Sequence, residues 1–88
     1  MTNVYKAANS LFVSVKNRKK VFFDGKAKSI TSINVSGEFD ILPQHANFVT
    51  LIKDYLYIDR GLETEQKIDI KTGLLAVRHN KVDIYLDF

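Results

Sequence analysis

From Val82 to Asp87 the chain alternates without a break: Val82, Ile84 and Leu86 are aliphatic, while Asp83, Tyr85 and Asp87 carry polar groups. Side chains on an extended backbone leave opposite faces with period two, so this run buries its aliphatics together only as a strand. Leu11, Val13 and Val15 alternate with Phe12 and Ser14 in the same way, and Ile33 and Val35 flank Asn34. Leu56 and Ile58 interleave with Tyr55 and Tyr57. The stretch Phe48–Tyr57 fits helical spacing as well, through Phe48, Leu51, Ile52, Tyr55 and Leu56, but β-branched Val49, Thr50 and Ile52 favour the extended form. The expected core is Val13, Val15, Ile33, Val35, Leu75, Val77, Val82, Ile84 and Leu86.

Turn signals separate these runs at short intervals: Asn17–Lys20, Asp24-Gly25, Ser36-Gly37, Pro43-Gln44, Lys53-Asp54, Arg60-Gly61, Thr72-Gly73 and His79-Asn80. Gly and Asn accept the positive φ of tight turns, and the spacing leaves five to nine residues per strand. Many short strands at such spacing suggest an all-β sandwich or barrel. At 88 residues the chain supports one hydrophobic core, with no linker or internal repeat to divide it. No apolar run approaches the roughly 20 residues of a membrane-spanning helix. No short apolar block follows a basic N-terminus as a secretion signal would.

Composition excludes several chemistries. Without cysteine there is no disulfide scaffold, thiol nucleophile or Cys-based metal site. His45 and His79 lie too far apart for a local metal motif, and the four scattered glycines form no phosphate-cradling loop. No nucleophile–base constellation is evident, so the chain is not expected to be an enzyme, and no cofactor or metal is expected. The net charge of +3 hides an asymmetry: residues 1–28 hold seven basic groups against one acid, and residues 29–88 hold six against nine. Asn17-Arg18-Lys19-Lys20 reads either as a solvated hairpin tip or as a contact for nucleic acid or lipid. A small basic β-domain that binds nucleic acid is therefore the alternative function, although the aromatics form no cluster with basic residues in the sequence.

The segment from Gly37 to Ile52 contains Gly37, Glu38, Phe39, Ile41, Pro43, His45, Ala46 and Thr50 in an order that resembles the signature G-E-[LF]-G-I-[LY]-P-G-H-A-P-L-L-T of the epsilon subunit of the rotary proton-translocating ATP synthase. Phe23 and Gly25 with Ile33 and Val35 upstream, and Gly73-Leu74-Leu75 with Val77, Val82 and Ile84 downstream, extend the resemblance over residues 10–88. Asp40, Gln44, Asn47 and Thr72 depart from the pattern, and the hairpin near Asp54 is one residue short, all at turns. The resemblance implies a ten-stranded, two-sheet β-sandwich over 10–88 behind an N-terminal extension of residues 1–9. It also implies a non-catalytic central-stalk subunit that links the gamma subunit to the membrane ring of c subunits and passes torque between proton flow and ATP synthesis. Such a subunit sits at the cytoplasmic face of the energy-transducing membrane and meets the membrane only through the complex. The implied ring contact is Gly37, Glu38 and Phe39, with Glu38 facing a basic group on the ring's loops. The implied gamma contact is Gln44 and His45 with the turn at Asn17. Relatives usually continue into a pair of C-terminal helices, which the resemblance does not reach, so autoinhibition and ATP binding by those helices are not expected of these residues.

Overall fold

Alternation becomes strand at seven places within residues 9–87, the part of the chain that the structure, a computed structural model, describes. The strands are β1 (Leu11–Lys16), β2 (Val21–Ala27), β3 (Ile30–Asn34), β4 (Gly37–Ile41), β5 (Phe48–Ile58), β6 (Gln66–Arg78) and β7 (Lys81–Leu86). They form one hydrogen-bonded sheet in the order β2-β1-β7-β6-β5-β3-β4. All neighbours are antiparallel except β1 and β7, which run parallel with Val13 beside Val82 and Val15 beside Ile84. That pairing ties the two ends of the domain together. At the tight turn between β6 and β7, His79 and Asn80 both adopt positive φ, 51° and 64°, as a hairpin of this twist requires.

The sheet is folded over on itself. β5 and β6 pair along nearly their whole length, but β7 joins only the second half of β6, and β3 joins only the second half of β5. In a flat sheet Phe39, two strands from Leu56, would lie roughly 26 Å along the strands from Phe48, eight residues earlier on β5. Instead the two rings meet edge to face with centroids 5.7 Å apart. Two layers result, and between them lie Leu11, Val13, Val15, Ile30, Ile41, Ile52, Leu56, Ile58, Leu75, Val77, Val82, Ile84 and Leu86, all buried.

The bend has identifiable causes. Between the pairs Lys53–Thr72 and Tyr55–Asp69, β6 contributes one more residue than β5, and Asp54 takes a φ of 70°. An extra residue reverses which face a strand presents. Accordingly Ile68 and Ile70 pack on the core before the bend, and Gly73, Leu75 and Val77 after it. Gly73 is needed for close approach: a Cβ there would lie 3.0 Å from both Ile52 Cγ1 and Leu86 Cδ2.

The expected ten strands in two sheets are corrected to seven in one folded sheet. Three turn signals, Asp24-Gly25, Lys53-Asp54 and Thr72-Gly73, lie inside β2, β5 and β6. Lys53-Asp54 marks a bulge and Thr72-Gly73 a tight crossing, whereas Asp24-Gly25 pairs with β1 in regular register, and strand pairing continues past all three. Val35 is also corrected: it is 98% exposed, because β3 ends at Asn34 and Val35-Ser36 form the turn into β4. Ile33, on the outer face beside Glu38, is only half-buried. Phe48–Tyr57 is strand, with β5 continuing to Ile58. Residues 1–8 of the expected N-terminal extension, and Phe88, lie outside the described residues.

Candidate functional site

The outer face of the second layer, built from β3, β4 and the adjoining halves of β5 and β6, gathers groups far apart in the sequence. Gly37, at φ 120°, starts β4 after the turn, so Glu38 and Asp40 point outward and Phe39 and Ile41 inward. On β5, Leu56 and Ile58 face the core, which leaves Tyr55 and Tyr57 on the same outer face as Glu38. Glu38 Oε2 accepts hydrogen bonds from the Tyr55 hydroxyl at 2.5 Å and from Arg60 Nη1 at 2.8 Å. The Arg60 guanidinium lies over the Tyr57 ring, 4.5 Å from its centroid, and the two tyrosine rings meet edge-on at 5.7 Å. Lys67 approaches the same Tyr57 ring at 5.7 Å and pairs loosely with Asp69 at 3.6 Å.

The electrostatics follow from this geometry. Hydrogen bonds from Tyr55 and then Arg60 hold the Glu38 carboxyl below its ordinary range, since both favour its charged form. The same carboxylate raises the Tyr55 hydroxyl and the Arg60 guanidinium. Arg60 itself stands on a braced loop. Buried Asp59, at φ 57°, accepts hydrogen bonds from the Lys28 and Ser29 amides, at 2.5 and 3.3 Å, and from the Thr64 hydroxyl at 2.7 Å. The Gly61 amide donates to Glu65 Oε1 at 2.6 Å, closing the loop that carries Arg60.

The expected contact residues fall into separate places. Of Gly37, Glu38 and Phe39, only Glu38 presents a side chain to this outer face, while Phe39 packs inward on Phe48. Gln44, at φ 70°, donates its amide to Asn80 Oδ1 at 2.6 Å, and His45 sits beside it with its ring 5.6 Å from that of Phe48. His45 Nδ1 lies 2.7 Å from the Ala46 carbonyl. Phe48 therefore joins Phe39 and His45 through ring contacts. Asn17 is elsewhere: the Phe12 amide bonds to Asn80 at the start of β1, and Asn17 follows its end, roughly 16 Å along the strand. There its side chain accepts the Lys19 and Lys20 amides and closes its own turn. Asn17 and the pair Gln44–His45 do not form one patch.

Sequence reasoning missed Arg60, read only as a turn residue, and the part of Tyr55. The outward alternation of Tyr55 and Tyr57 was visible, but nothing local connects them to Glu38. Among the described residues no group of three or more His, Asp or Glu side chains is placed to hold a metal. No helix among them is long and apolar enough to cross a membrane. On the first layer's outer face Lys16 lies over Tyr85 at 5.0 Å and Lys26 over Phe12 at 5.7 Å, with Asp24 and Asp83 between those rows. Each ring thus has one of the chain's own cations beside it, while both rings stay exposed.

The family model for the ATP synthase Delta/Epsilon chain, beta-sandwich domain, matches residues 10–87. The chain belongs to this family. It is 31% identical over 83 residues to the ATP synthase epsilon chain of Clostridium acetobutylicum, spanning 91% of this chain and 61% of that protein. It is 36% identical over 81 residues to the epsilon chain of Leptospira borgpetersenii, spanning 91% and 63%. The chain thus spans about three-fifths of the length of these relatives. Among solved structures, a chain of the Euglena gracilis mitochondrial ATP synthase superposes with a TM-score of 0.79 at 17% identity, covering 89% of this chain and 51% of that one. A chain of the Tetrahymena thermophila mitochondrial ATP synthase central stalk and c-ring gives 0.70 at 17%, covering 86% and 62%. At such identity these superpositions establish the fold.

Proposed function

We propose that this domain is a non-catalytic part of an ATP synthase central stalk, standing between a gamma subunit and the membrane ring of c subunits. The observation that carries this reading is the family match over residues 10–87. The mechanics agree with it. A part that transmits torque must not deform, and here a single sheet folds over on itself with strands β1 and β7 paired and its core filled by aliphatics. In the finer reading the sandwich begins near residue 10 and functions as one domain of the assembled stalk. The chain carries no catalytic group of its own and works at the cytoplasmic face of the membrane through the complex.

Within this reading the start of β4, at Gly37, Glu38 and Phe39, faces the ring, and the loop holding Gln44 and His45 faces gamma. Asn17, at the far end of β1, would be a separate and lesser gamma contact. Phe48, touching both Phe39 and His45, gives the two contacts a rigid connection. The test is an assembled enzyme carrying Glu38→Lys or the double change Gln44→Ala with His45→Ala. Glu38→Lys should lower protons pumped per ATP while hydrolysis by the catalytic head continues, and the double change should weaken gamma binding with the fold intact. Unchanged pumping, ring association and gamma affinity would defeat these assignments.

A further inference from the structure

We propose that Arg60, set in place by Glu38 and Tyr57, is the group this face offers to its partner, and that the partner surface carries a carboxylate. The proposal rests on the rotor reading and concerns the chemistry of its ring-side contact.

Glu38 is not a free anion waiting for a basic partner. One of its oxygens already accepts from both Tyr55 and Arg60, and a cation arriving from outside would have to displace a guanidinium belonging to the same chain. It would also approach two positive groups, Arg60 and Lys67, gathered around Tyr57. Arg60 is the better placed of the pair. A guanidinium has five N–H donors in a rigid fork, and among the described residues Arg60 is recorded in one hydrogen bond, through Nη1. Its side chain remains 44% exposed. The plane is fixed from below by the Tyr57 ring and from one edge by Glu38, and the backbone beneath it is anchored through Asp59.

An ordinary surface arginine loses much of the gain from an ion pair to the ordering of its own side chain. This one is ordered before a partner arrives, which lowers the cost of association. The unused edge of a planar guanidinium matches a carboxylate bidentately. Glu38 is thus a positioning residue, and Arg60 makes the contact.

The test uses the full 88-residue chain, titrated onto a reconstituted subcomplex of gamma and c-ring, with thermal melts confirming that each variant is folded. Arg60→Ala should weaken binding roughly tenfold, and Arg60→Lys should fail to restore it because the fork and the stacking are lost. Glu38→Gln should weaken binding in the parent but add nothing in the Arg60→Ala background, since both act through one group. Parent affinity should fall as salt rises, and that dependence should shrink in Arg60→Ala. If Glu38→Gln weakens binding and Arg60→Ala does not, Glu38 is itself the contact and the proposal is overturned. If the parent chain binds neither gamma nor the ring, the rotor reading falls and takes this proposal with it. Binding that persists unchanged in every variant overturns the proposal alone.

Discussion

The two layers of the folded sheet are built differently. In the first layer, β2, β1, β7 and the second half of β6, inward positions are almost uniformly apolar, and alternation runs without interruption from Val82 to Leu86. In the second layer polar groups are buried as well: Thr31, Ser32 and Asp59. Each is satisfied, Thr31 by Asp40, Ser32 by the Tyr55 carbonyl, and Asp59 by two amides and a hydroxyl. Among the described residues the first layer buries only apolar side chains. The second gives up some of that regularity and in return holds a loop and a carboxylate–guanidinium pair in fixed positions.

The difference can be broken from either side. The largest effect is expected in the first layer, where Ile84→Asp places an unpaired carboxylate at a fully buried site. The cost should be several kcal/mol, about 3 or more, read as a collapse of the melting temperature. In the second layer Asp59→Ala should cost about 1–3 kcal/mol by leaving its donors without an acceptor. Adding Thr64→Ala should cost less than the sum of the two single changes, because they share one hydrogen bond. At the crossing between layers, Gly73→Val should cost about 1–3 kcal/mol by overpacking against Ile52 and Leu86. The smallest effect concerns pH. The folded chain lowers the Glu38 pKa below 4.5, so its contribution is fully present above that ordinary value and is lost as pH falls through the lower folded value. Parent and Glu38→Gln should therefore differ in melting temperature near neutrality and converge in strong acid.

The same division governs what could be read from sequence. Seven of the nine expected core residues are buried: Val13, Val15, Leu75, Val77, Val82, Ile84 and Leu86. Val82, Ile84 and Leu86 alternate with polar residues without a break, whereas Leu75 and Val77 stand among apolar Leu74 and Ala76. Alternation reports the face of a strand directly, so no tertiary information is needed. The strand count was not legible, because a glycine needed for close packing at Gly73 and a bulge at Asp54 carry the same residue types as turns. Val35 was misplaced for a related reason, since two apolar residues flanking Asn34 cannot show that the strand ends between them. Glu38 was singled out by resemblance, but its bond to Arg60 spans 22 positions and depends on the sheet order β4-β3-β5. No local pattern encodes that order.

The central claim, that the irregular second layer carries the contact while the regular first layer supports it, is tested most directly by hydrogen exchange. The chain would be compared alone and in complex with gamma and the c-ring. The account predicts slowed exchange at Gly37–Ile41, in the 59–65 loop and around Gln44–Ala46, with β1 and β7 little changed because their amides are already paired. Protection appearing only on the first layer, or none on binding, would contradict it.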